Sequence, residues 1–137
     1  MRPVALGVLL LAASFGSLEL AAQTKPDFSG VWVSVGTKVS PDLTIKHTGS
    51  TLAFNRGPNQ KASLNLNGRE TRVSMDGKPM IAKAIWQGNT VVVALYDIDG
   101  AHTPVKHQTW AVDSNGQLVI DTSGAQQGPE RETFKRR

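Results

Sequence analysis

Apolar and polar residues alternate along most of the chain after residue 25, with the period of two that is typical of half-buried β-strands. Leu43, Ile45 and His47, for example, alternate with Thr44 and Lys46. Turn-forming Gly, Asn, Asp and Pro residues interrupt the alternation roughly every 8–12 residues. The pattern predicts nine or ten short strands, at residues 28–35, 43–47, 51–54, 62–66, 70–75, 80–86, 91–98, 105–112, 118–120 and 131–136.

The spacing of these strands determines the fold class that we expect. No segment after residue 25 has a convincing helical period, so crossover helices are not predicted and neighbouring strands must be antiparallel. Asn67-Gly68 and Asp76-Gly77 are signals for tight hairpin turns. Closing the sheet removes its unpaired edges and its bare face. We therefore predict an all-β fold, an antiparallel up-and-down meander of about 8–10 strands closed into a barrel, with a two-sheet sandwich as the alternative.

Residues 1–22 have the organisation of a secretory signal peptide. Arg2 gives a positively charged start, residues 4–16 form an apolar run too short to span a bilayer, and small residues lead to Ala22. We expect cleavage after Ala22, although Leu20 at the −3 position is less usual than Ala. A buried first helix is the alternative. The expected product is a soluble periplasmic or secreted protein that does not span a membrane, with one domain at residues 23–137.

Composition narrows the possible chemistry. The chain has no cysteine, which excludes a lipid anchor, a disulfide framework, a thiolate zinc site and a catalytic cysteine. Val, Thr and Ile make up 27 of the 115 residues after the leader, which favours strands. The formal net charge is +4, but the basic residues are dispersed and not interleaved with aromatic ones. Nucleic-acid binding is therefore not predicted, and weak attraction to anionic envelope surfaces is the expected consequence.

Catalytic and metal-binding residues are not predicted. The chain has three histidines, and His102 and His107 are five positions apart, which would place them on opposite faces of a strand. Residues 97–100 resemble the start of a calcium loop but lack the later oxygen ligands, and a hairpin turn explains them equally well. The acidic residues fall mainly at turns, and Gly-x-Ser-x-Gly is absent. We expect neither an enzyme nor a bound cofactor or metal.

Large aromatic residues on neighbouring strands indicate where the interior lies. If Trp86 faces inward, Met80, Ala82 and Ala84 share its face, because alternate residues of a strand point the same way. We expect Tyr96 to face inward as well, together with Val92 and Ala94. The residues expected to line a ligand site are Phe54, Trp86, Tyr96 and Trp110 as apolar walls and Gln108 as a polar orienting group. The mixture of large and small side chains is compatible with a modest cavity or with a filled core.

The segment Phe28-Ser29-Gly30-Val31-Trp32 resembles the opening strand of lipocalin and calycin-type barrels. Residues 26–137 resemble small exported bacterial proteins with lipocalin-like domains. Those proteins also have a Trp before a Gly-containing hairpin, as in Trp86-Gln87-Gly88-Asn89, and a Trp strand that leads into a Gly turn, as in residues 110–116. The resemblance implies that Gly30 lets the first strand bend and that Trp32 closes one end of the barrel. It also implies an arginine of the last strand across the indole, for which Arg131 and Arg136 are both candidates.

Two departures from related barrels bear on the ligand. Fatty-acid-binding proteins carry an Arg-x-Tyr pair on their last strand, where this chain has Glu132 and Phe134, so a fatty-acid carboxylate is not specifically indicated. The segment Thr109-Trp110-Ala111 does not match the biotin-contacting pattern of avidins. We therefore expect an exported barrel that binds a small apolar or amphipathic ligand. The alternative is a non-catalytic envelope or interaction protein with a filled barrel, whose protein partner the sequence does not name.

Overall fold

The computed structural model of the chain describes residues 25–36, 40–58, 60–100, 103–124 and 127–137. The predicted signal peptide and His102 lie outside these residues. Ten β-strands follow one another along the chain: β1 (Gly30–Ser34), β2 (Leu43–His47), β3 (Thr51–Arg56), β4 (Gln60–Asn65), β5 (Thr71–Met75), β6 (Lys78–Gln87), β7 (Thr90–Asp97), β8 (Lys106–Val112), β9 (Leu118–Gly124) and β10 (Gln127–Arg136).

The strands form a single closed antiparallel barrel in which each strand pairs with its neighbours in the chain. The first strand closes the barrel, because β1 pairs with β2 on one side and with β10 on the other. Trp32 lies opposite Leu43 in the first pairing and opposite Arg136 in the second. The predicted up-and-down barrel is confirmed, and the two-sheet sandwich is wrong, because closure leaves no sheet edge unpaired.

Of the two predicted hairpin turns, Asp76-Gly77 forms a tight turn in the structure, whereas Asn67-Gly68 does not join two fully paired strands. At the turn between β5 and β6, Asp76 and Gly77 both have positive φ, 55° and 75°, as a tight two-residue turn requires. Asn67 and Gly68 lie at the centre of the β4–β5 register, but only Lys61 and Ser74 are paired across these strands. Asn67 instead forms a bridge with Ile85 of β6. The junction of β4 and β5 is consequently the most thinly paired one in the described barrel.

The last two strands are longer than predicted. We expected strands at residues 118–120 and 131–136, whereas β9 continues to Gly124 and β10 begins at Gln127. The added part of β9 is polar, and it is paired with β8 through Asp121 opposite Thr109 and Ser123 opposite His107. Alternation of apolar and polar residues cannot reveal such a segment, because its position depends on backbone pairing with a strand already in place.

Buried apolar side chains form one cluster inside the barrel. Its largest fully buried members are Trp32, Trp110, Phe28 and Phe134. The predicted inward face of β6 is confirmed, because Met80, Ala82 and Ala84 are only 5%, 1% and 1% exposed to solvent. Each large apolar side chain that is fully buried contributes roughly 1.5–3 kcal/mol. In the part of the chain that the structure describes, no helix is long and apolar enough to cross a membrane.

Candidate functional site

One end of the barrel is closed by Trp32, whose side chain is fully buried. Its indole Nε1–H donates a hydrogen bond of 2.9 Å to the backbone carbonyl oxygen of Phe28. The guanidinium carbon of Arg136 lies 4.3 Å from the centroid of the indole. Arg136 also donates hydrogen bonds to the carbonyl oxygens of Ser29 and, at 2.7 Å, of Asp27. These contacts fasten the segment that precedes β1 to the last strand.

The arginine that covers Trp32 is Arg136, not Arg131, because Arg136 lies directly opposite Trp32 in the register of β1 and β10. Arg131 instead pairs with Asp121 of β9, with 2.7 Å between Nε and Oδ1. Gly30 permits the close approach of Arg136. A Cβ atom there would lie 3.1 Å from Arg136 Nη1, and the φ of +133° at Gly30 is one that other residues rarely adopt.

The opposite end of the barrel is open and leads into a cavity of about 1200 Å³. Its apolar lining includes Leu43, Phe54, Met80, Leu95, Trp110 and Ile120. The rings of Phe54 and Trp110 are in contact, with 5.3 Å between their centroids. The barrel is therefore filled at the end that Trp32 closes and hollow at the other. Phe54 and Trp110 line this cavity, and their part in ligand binding stays a prediction.

Gln108 also lines the cavity and is held by two neighbours. Its Oε1 accepts a hydrogen bond of 3.2 Å from Trp110 Nε1, and its Nε2 donates one of 3.4 Å to Thr122 Oγ1. A carboxamide can form four hydrogen bonds, two as donor and two as acceptor. One N–H and one oxygen lone pair of Gln108 therefore remain for a ligand or water. This capacity suits the orienting role that we predict for it.

Trp86 lies on the inner side of β6, as expected, but not in the cavity. It belongs to an aromatic cluster at the closed end, where its ring centroid is 5.9 Å from that of Phe28 and 5.5 Å from that of His47. Lys25 Nζ lies 5.2 Å from the Trp86 ring. The sequence pattern located Trp86 on the correct face. It could not show that the segment before β1 would place Phe28 against it.

The prediction that Tyr96 faces the interior is wrong. Tyr96 lies on the outer face of β7, opposite Ile81, and Lys83 Nζ is 5.0 Å from the centroid of its ring. Val92 and Ala94 share this outer face, because they alternate with the inward positions. The buried residues of β7 are Val91, Val93 and Leu95.

A signal in the sequence could have shown the correct face of β7. Both faces of this strand are apolar, so alternation alone does not choose between them. In a hairpin with a two-residue turn, however, positions equally distant from the turn lie opposite each other and share a face. Trp86 and Val91 are equally distant from the Gly88-Asn89 turn and are paired in the barrel. If Trp86 faces inward, Val91 must too.

An ion pair between Arg56 and Glu132 lies at the mouth of the cavity. Arg56 Nη1 and Nη2 donate parallel hydrogen bonds of 2.9 and 2.5 Å to the two carboxylate oxygens of Glu132. The side chain of Arg56 is 14% exposed to solvent and that of Glu132 is 30% exposed. The hydrogen bonds that Arg56 donates to Glu132 raise the pKa of Arg56 above its ordinary value, so the guanidinium remains charged. The ring centroid of Phe134 lies 5.2 Å from Arg56 Cζ.

Our sequence analysis did not select Arg56. The signal was present, because Leu52, Phe54 and Arg56 occupy alternate positions of β3 and therefore share its inner face. In the same way, Glu132 shares the inner face of β10 with the buried Phe134. The pairing itself could not be predicted, since the two residues are 76 positions apart and meet only when the barrel closes.

The charged residues that line the cavity nearly balance one another. Three are cationic: Arg56, Lys78 and Lys106. The guanidinium of Arg131 lies on the outer face, where it is bonded to Asp121. Four are carboxylates: Asp76, Asp97, Glu130 and Glu132. Lys78 of β6 and Asp97 of the adjacent β7 form a second pair on the rim of the mouth, with 3.0 Å between Nζ and Oδ1. Three cations and four carboxylates give the lining a formal charge of −1, although the whole chain carries +4.

Among the described residues, no three His, Asp or Glu side chains come close enough together to hold a metal ion. His47 lies at the closed end, where its Nδ1 accepts a hydrogen bond of 3.1 Å from the backbone N–H of Phe28. His107 is on the outer side of β8, opposite Ser123. The described cavity therefore offers apolar contact, hydrogen bonding, a half-buried ion pair and the further charged side chains of its mouth.

Comparison with known proteins relates the chain to lipid-binding barrels through structure alone. No protein-family model and no curated protein matches its sequence. Among solved structures, apo lipid binding protein 8 of Caenorhabditis elegans superimposes with a TM-score of 0.65 at 18% identity, covering 80% of this chain and 95% of that one. The REP1-NXSQ fatty acid transporter superimposes with a TM-score of 0.64 at 15% identity, covering 81% and 96%. The chain therefore has the closed antiparallel barrel fold of these proteins, and at such identities the likeness shows the fold alone.

Proposed function

We propose that the protein binds a small apolar or amphipathic molecule inside the barrel, through its open end. The observation that carries this proposal is the cavity of about 1200 Å³ with an apolar interior and a polar mouth. Ligand sites in proteins are concave, enclose roughly 300–1,000 Å³ and combine apolar walls with a few polar groups. A barrel that served only as a scaffold would gain stability by filling this space with side chains.

The distribution of polarity favours an elongated ligand with a polar head. Phe54 and Trp110 supply aromatic surface in the interior, while Arg56 and Glu132 lie at the mouth. An apolar chain transferred from water to such walls gains about 25 cal/mol for each Å² buried. The two structural neighbours are described as a lipid binding protein and a fatty acid transporter, which supports a ligand of this general class.

Binding without catalysis is the function that we propose. The polar groups that lie nearest the aromatic walls are bonded to neighbours, Arg56 to Glu132 and Gln108 to Trp110, and the capacity that remains on Gln108 suits hydrogen bonding to a ligand. The alternative, a non-catalytic envelope or interaction protein with a filled barrel, is disfavoured by the hollow end of the barrel. If no apolar molecule binds to the protein, we would instead conclude that it is such an envelope or interaction protein.

The binding experiment compares two variants that carry the same substitution on opposite faces of the sheet. Thr122 lines the cavity, whereas Thr109 is on the outer side of β8, opposite Asp121. In Thr122→Trp the indole occupies the cavity, so we expect it to abolish the fluorescence increase of the uncharged probe N-phenylnaphthylamine. Thr109→Trp should bind the probe like the wild type. Absence of binding to the wild type, or equal binding by both variants, would overturn the proposal.

We also propose that the protein is exported to the periplasm or secreted, like the bacterial lipocalin-like proteins that it resembles. The support is the order of charged, apolar and small residues in residues 1–22. Expression of the full chain in a bacterium, followed by fractionation and intact-mass measurement, tests this. We expect a periplasmic product that begins at Gln23. An uncleaved product in the cytoplasm would contradict the proposal.

A further inference from the structure

The mouth of the cavity holds a guanidinium whose carboxylate partner belongs to the protein itself. Both carboxylate oxygens of Glu132 accept hydrogen bonds from Arg56. We propose that this internal pair makes the cavity selective for an amphipath with an uncharged head group, such as an alcohol, an ester or an amide, over the carboxylate of a fatty acid. The inference rests on the proposed function, because it names the ligand class of the same cavity.

A fatty-acid carboxylate is disfavoured because Glu132 occupies the position that it would need. The carboxylate of Glu132 is attached to β10 and remains beside Arg56 at a high effective concentration. Its two parallel hydrogen bonds match the geometry of a guanidinium. A ligand carboxylate would have to displace it, and would then lie close to a half-buried negative charge without a partner.

The same reasoning disfavours a cationic head group. A ligand ammonium would have to take Glu132 from Arg56, leaving a guanidinium that is only 14% exposed without a counter-ion. The lining as a whole has only one carboxylate in excess, since it holds three cations and four carboxylates. Its net charge therefore gives a ligand carboxylate no attraction, and the single excess charge gives an ammonium little against the cost of breaking the Arg56–Glu132 pair.

An uncharged head group can bind without breaking the pair. A guanidinium has five N–H donors, and Arg56 uses two of its N–H groups for Glu132. Gln108 has one further N–H and one further lone pair. A hydroxyl, ester or amide group can accept from the first and exchange hydrogen bonds with the second, so its polar atoms need not be buried unsatisfied.

Lys106 offers the competing route for a carboxylate. It lines the cavity, is half-buried and lies opposite Leu95 and Gly124 in its two strand pairings. The other lining cations have carboxylate partners, Arg56 in Glu132 and Lys78 in Asp97. A carboxylate that bound through Lys106 would leave the Arg56–Glu132 pair intact. The variant Lys106→Gln therefore distinguishes this route from the one that we propose to be blocked.

The experiment measures four ligands that share one alkyl chain: lauryl alcohol, lauramide, laurate and laurylammonium. Each displaces N-phenylnaphthylamine from the purified protein, obtained by expression of the full chain. For the wild type, we expect the alcohol and the amide to bind roughly tenfold or more tightly than laurate and laurylammonium, the factor that corresponds to a charge-assisted hydrogen bond. This comparison needs no variant, so it does not depend on whether any substitution is tolerated.

Two substitutions then test the pair itself. Glu132→Gln frees Arg56, so laurate should bind roughly tenfold more tightly, while the alcohol changes by less than about fivefold. Arg56→Gln leaves Glu132 without its cationic partner, so laurylammonium, and not laurate, should bind more tightly to this variant. The matched control is Glu130→Gln, which removes the same charge from the same strand and leaves the pair intact. Its effect on laurate should stay below about fivefold.

The outcomes separate the two proposals. Probe binding together with laurate as tight as the alcohol overturns the head-group inference and leaves ligand binding in place. If the Lys106→Gln variant no longer binds laurate, the carboxylate of laurate binds to Lys106. Equal gains in Glu132→Gln and Glu130→Gln would show that general charge, and not the ion pair, controls selectivity. If the wild type binds neither the probe nor any of the four ligands, the proposed function fails and the inference fails with it.

Discussion

Replacing Trp32 with alanine tests whether the closed end holds the barrel together. The indole is fully buried, its N–H is bonded to the carbonyl oxygen of Phe28 at 2.9 Å, and Arg136 lies 4.3 Å from its centroid. The substitution removes the apolar side chain, deprives the Phe28 carbonyl of its donor and leaves Arg136 without an aromatic ring beneath it. All three changes lower the free energy of unfolding.

The size of the effect follows from these three contacts. Truncating a buried aromatic side chain to alanine costs about 3–5 kcal/mol. The lost hydrogen bond contributes about 1 kcal/mol, and the lost cation–π contact about 0.5–1 kcal/mol. Since contacting groups are not additive, we expect a total of about 4–5 kcal/mol. Small domains have only about 5–15 kcal/mol of stability, so Trp32→Ala should be close to the limit of folding.

A second substitution separates packing from hydrogen bonding. Trp32→Phe keeps a ring for Arg136 and most of the buried surface, but it has no N–H for the Phe28 carbonyl. We expect it to lose about 1–2 kcal/mol, mainly from the unsatisfied acceptor. The two variants should therefore rank clearly, with alanine much less stable than phenylalanine.

Urea denaturation followed by far-ultraviolet circular dichroism is the appropriate assay, because the substitutions change tryptophan fluorescence directly. Ile85→Ala is the control, since the Ile85 side chain is 47% exposed on the outer face of the barrel. It should lose less than about 1 kcal/mol. A loss for Trp32→Ala no larger than that of the control would refute the assignment of Trp32 as the residue that closes the barrel.

Three further predictions follow from single residues. Gly30→Ala should lose about 1–3 kcal/mol in the same urea assay, because the φ of +133° is unfavourable for alanine and the added Cβ presses on the arginine of the closed end; stability equal to that of the wild type would contradict this. The pKa of Asp27 lies below its ordinary value of 3.8, chiefly because its carboxylate accepts a hydrogen bond from the backbone N–H of Ser29. A depressed native pKa contributes stability that is present above the unfolded-state value and lost as the pH falls through the native value. Asp27→Asn should therefore have a lower melting temperature than the wild type at neutral pH, and the difference should shrink in acid below pH 3.8; a difference that does not depend on pH would argue against this cause. Phe54→Ala should weaken N-phenylnaphthylamine binding by roughly tenfold, whereas Tyr96→Ala should not, and equal losses would show that the ligand does not occupy the cavity.

The candidate site could be predicted only in part, and its errors have identifiable causes. Phe54, Gln108 and Trp110 line the cavity, because each lies on the inner side of a strand and near the open end. Alternation predicts the side of a strand correctly for Trp86 but says nothing about the end of the barrel. For Tyr96 even the side was wrong, since a strand that is apolar on both faces has no preferred orientation until its hairpin partner is considered.

The sequence by itself determined the strand-rich chain and the antiparallel connections, and it favoured a closed sheet over a two-sheet sandwich without deciding between them. The first two properties depend on neighbouring residues, because period-two alternation, turn chemistry and short connections all act over a few positions. The position of Gly30 two residues before Trp32 is part of the same local information. The role of Trp32 in closing one end was implied by the resemblance of this segment to lipocalin-like barrels.

Only the tertiary structure decided which distant residues meet. The choice of Arg136 over Arg131, the packing of Phe28 against Trp86 and the pairing of Arg56 with Glu132 all join parts of the chain that are far apart in sequence. Such contacts depend on the register at which the last strand closes on the first. Since a shift of one residue would turn every side chain of a strand to the other face, local sequence patterns cannot determine them.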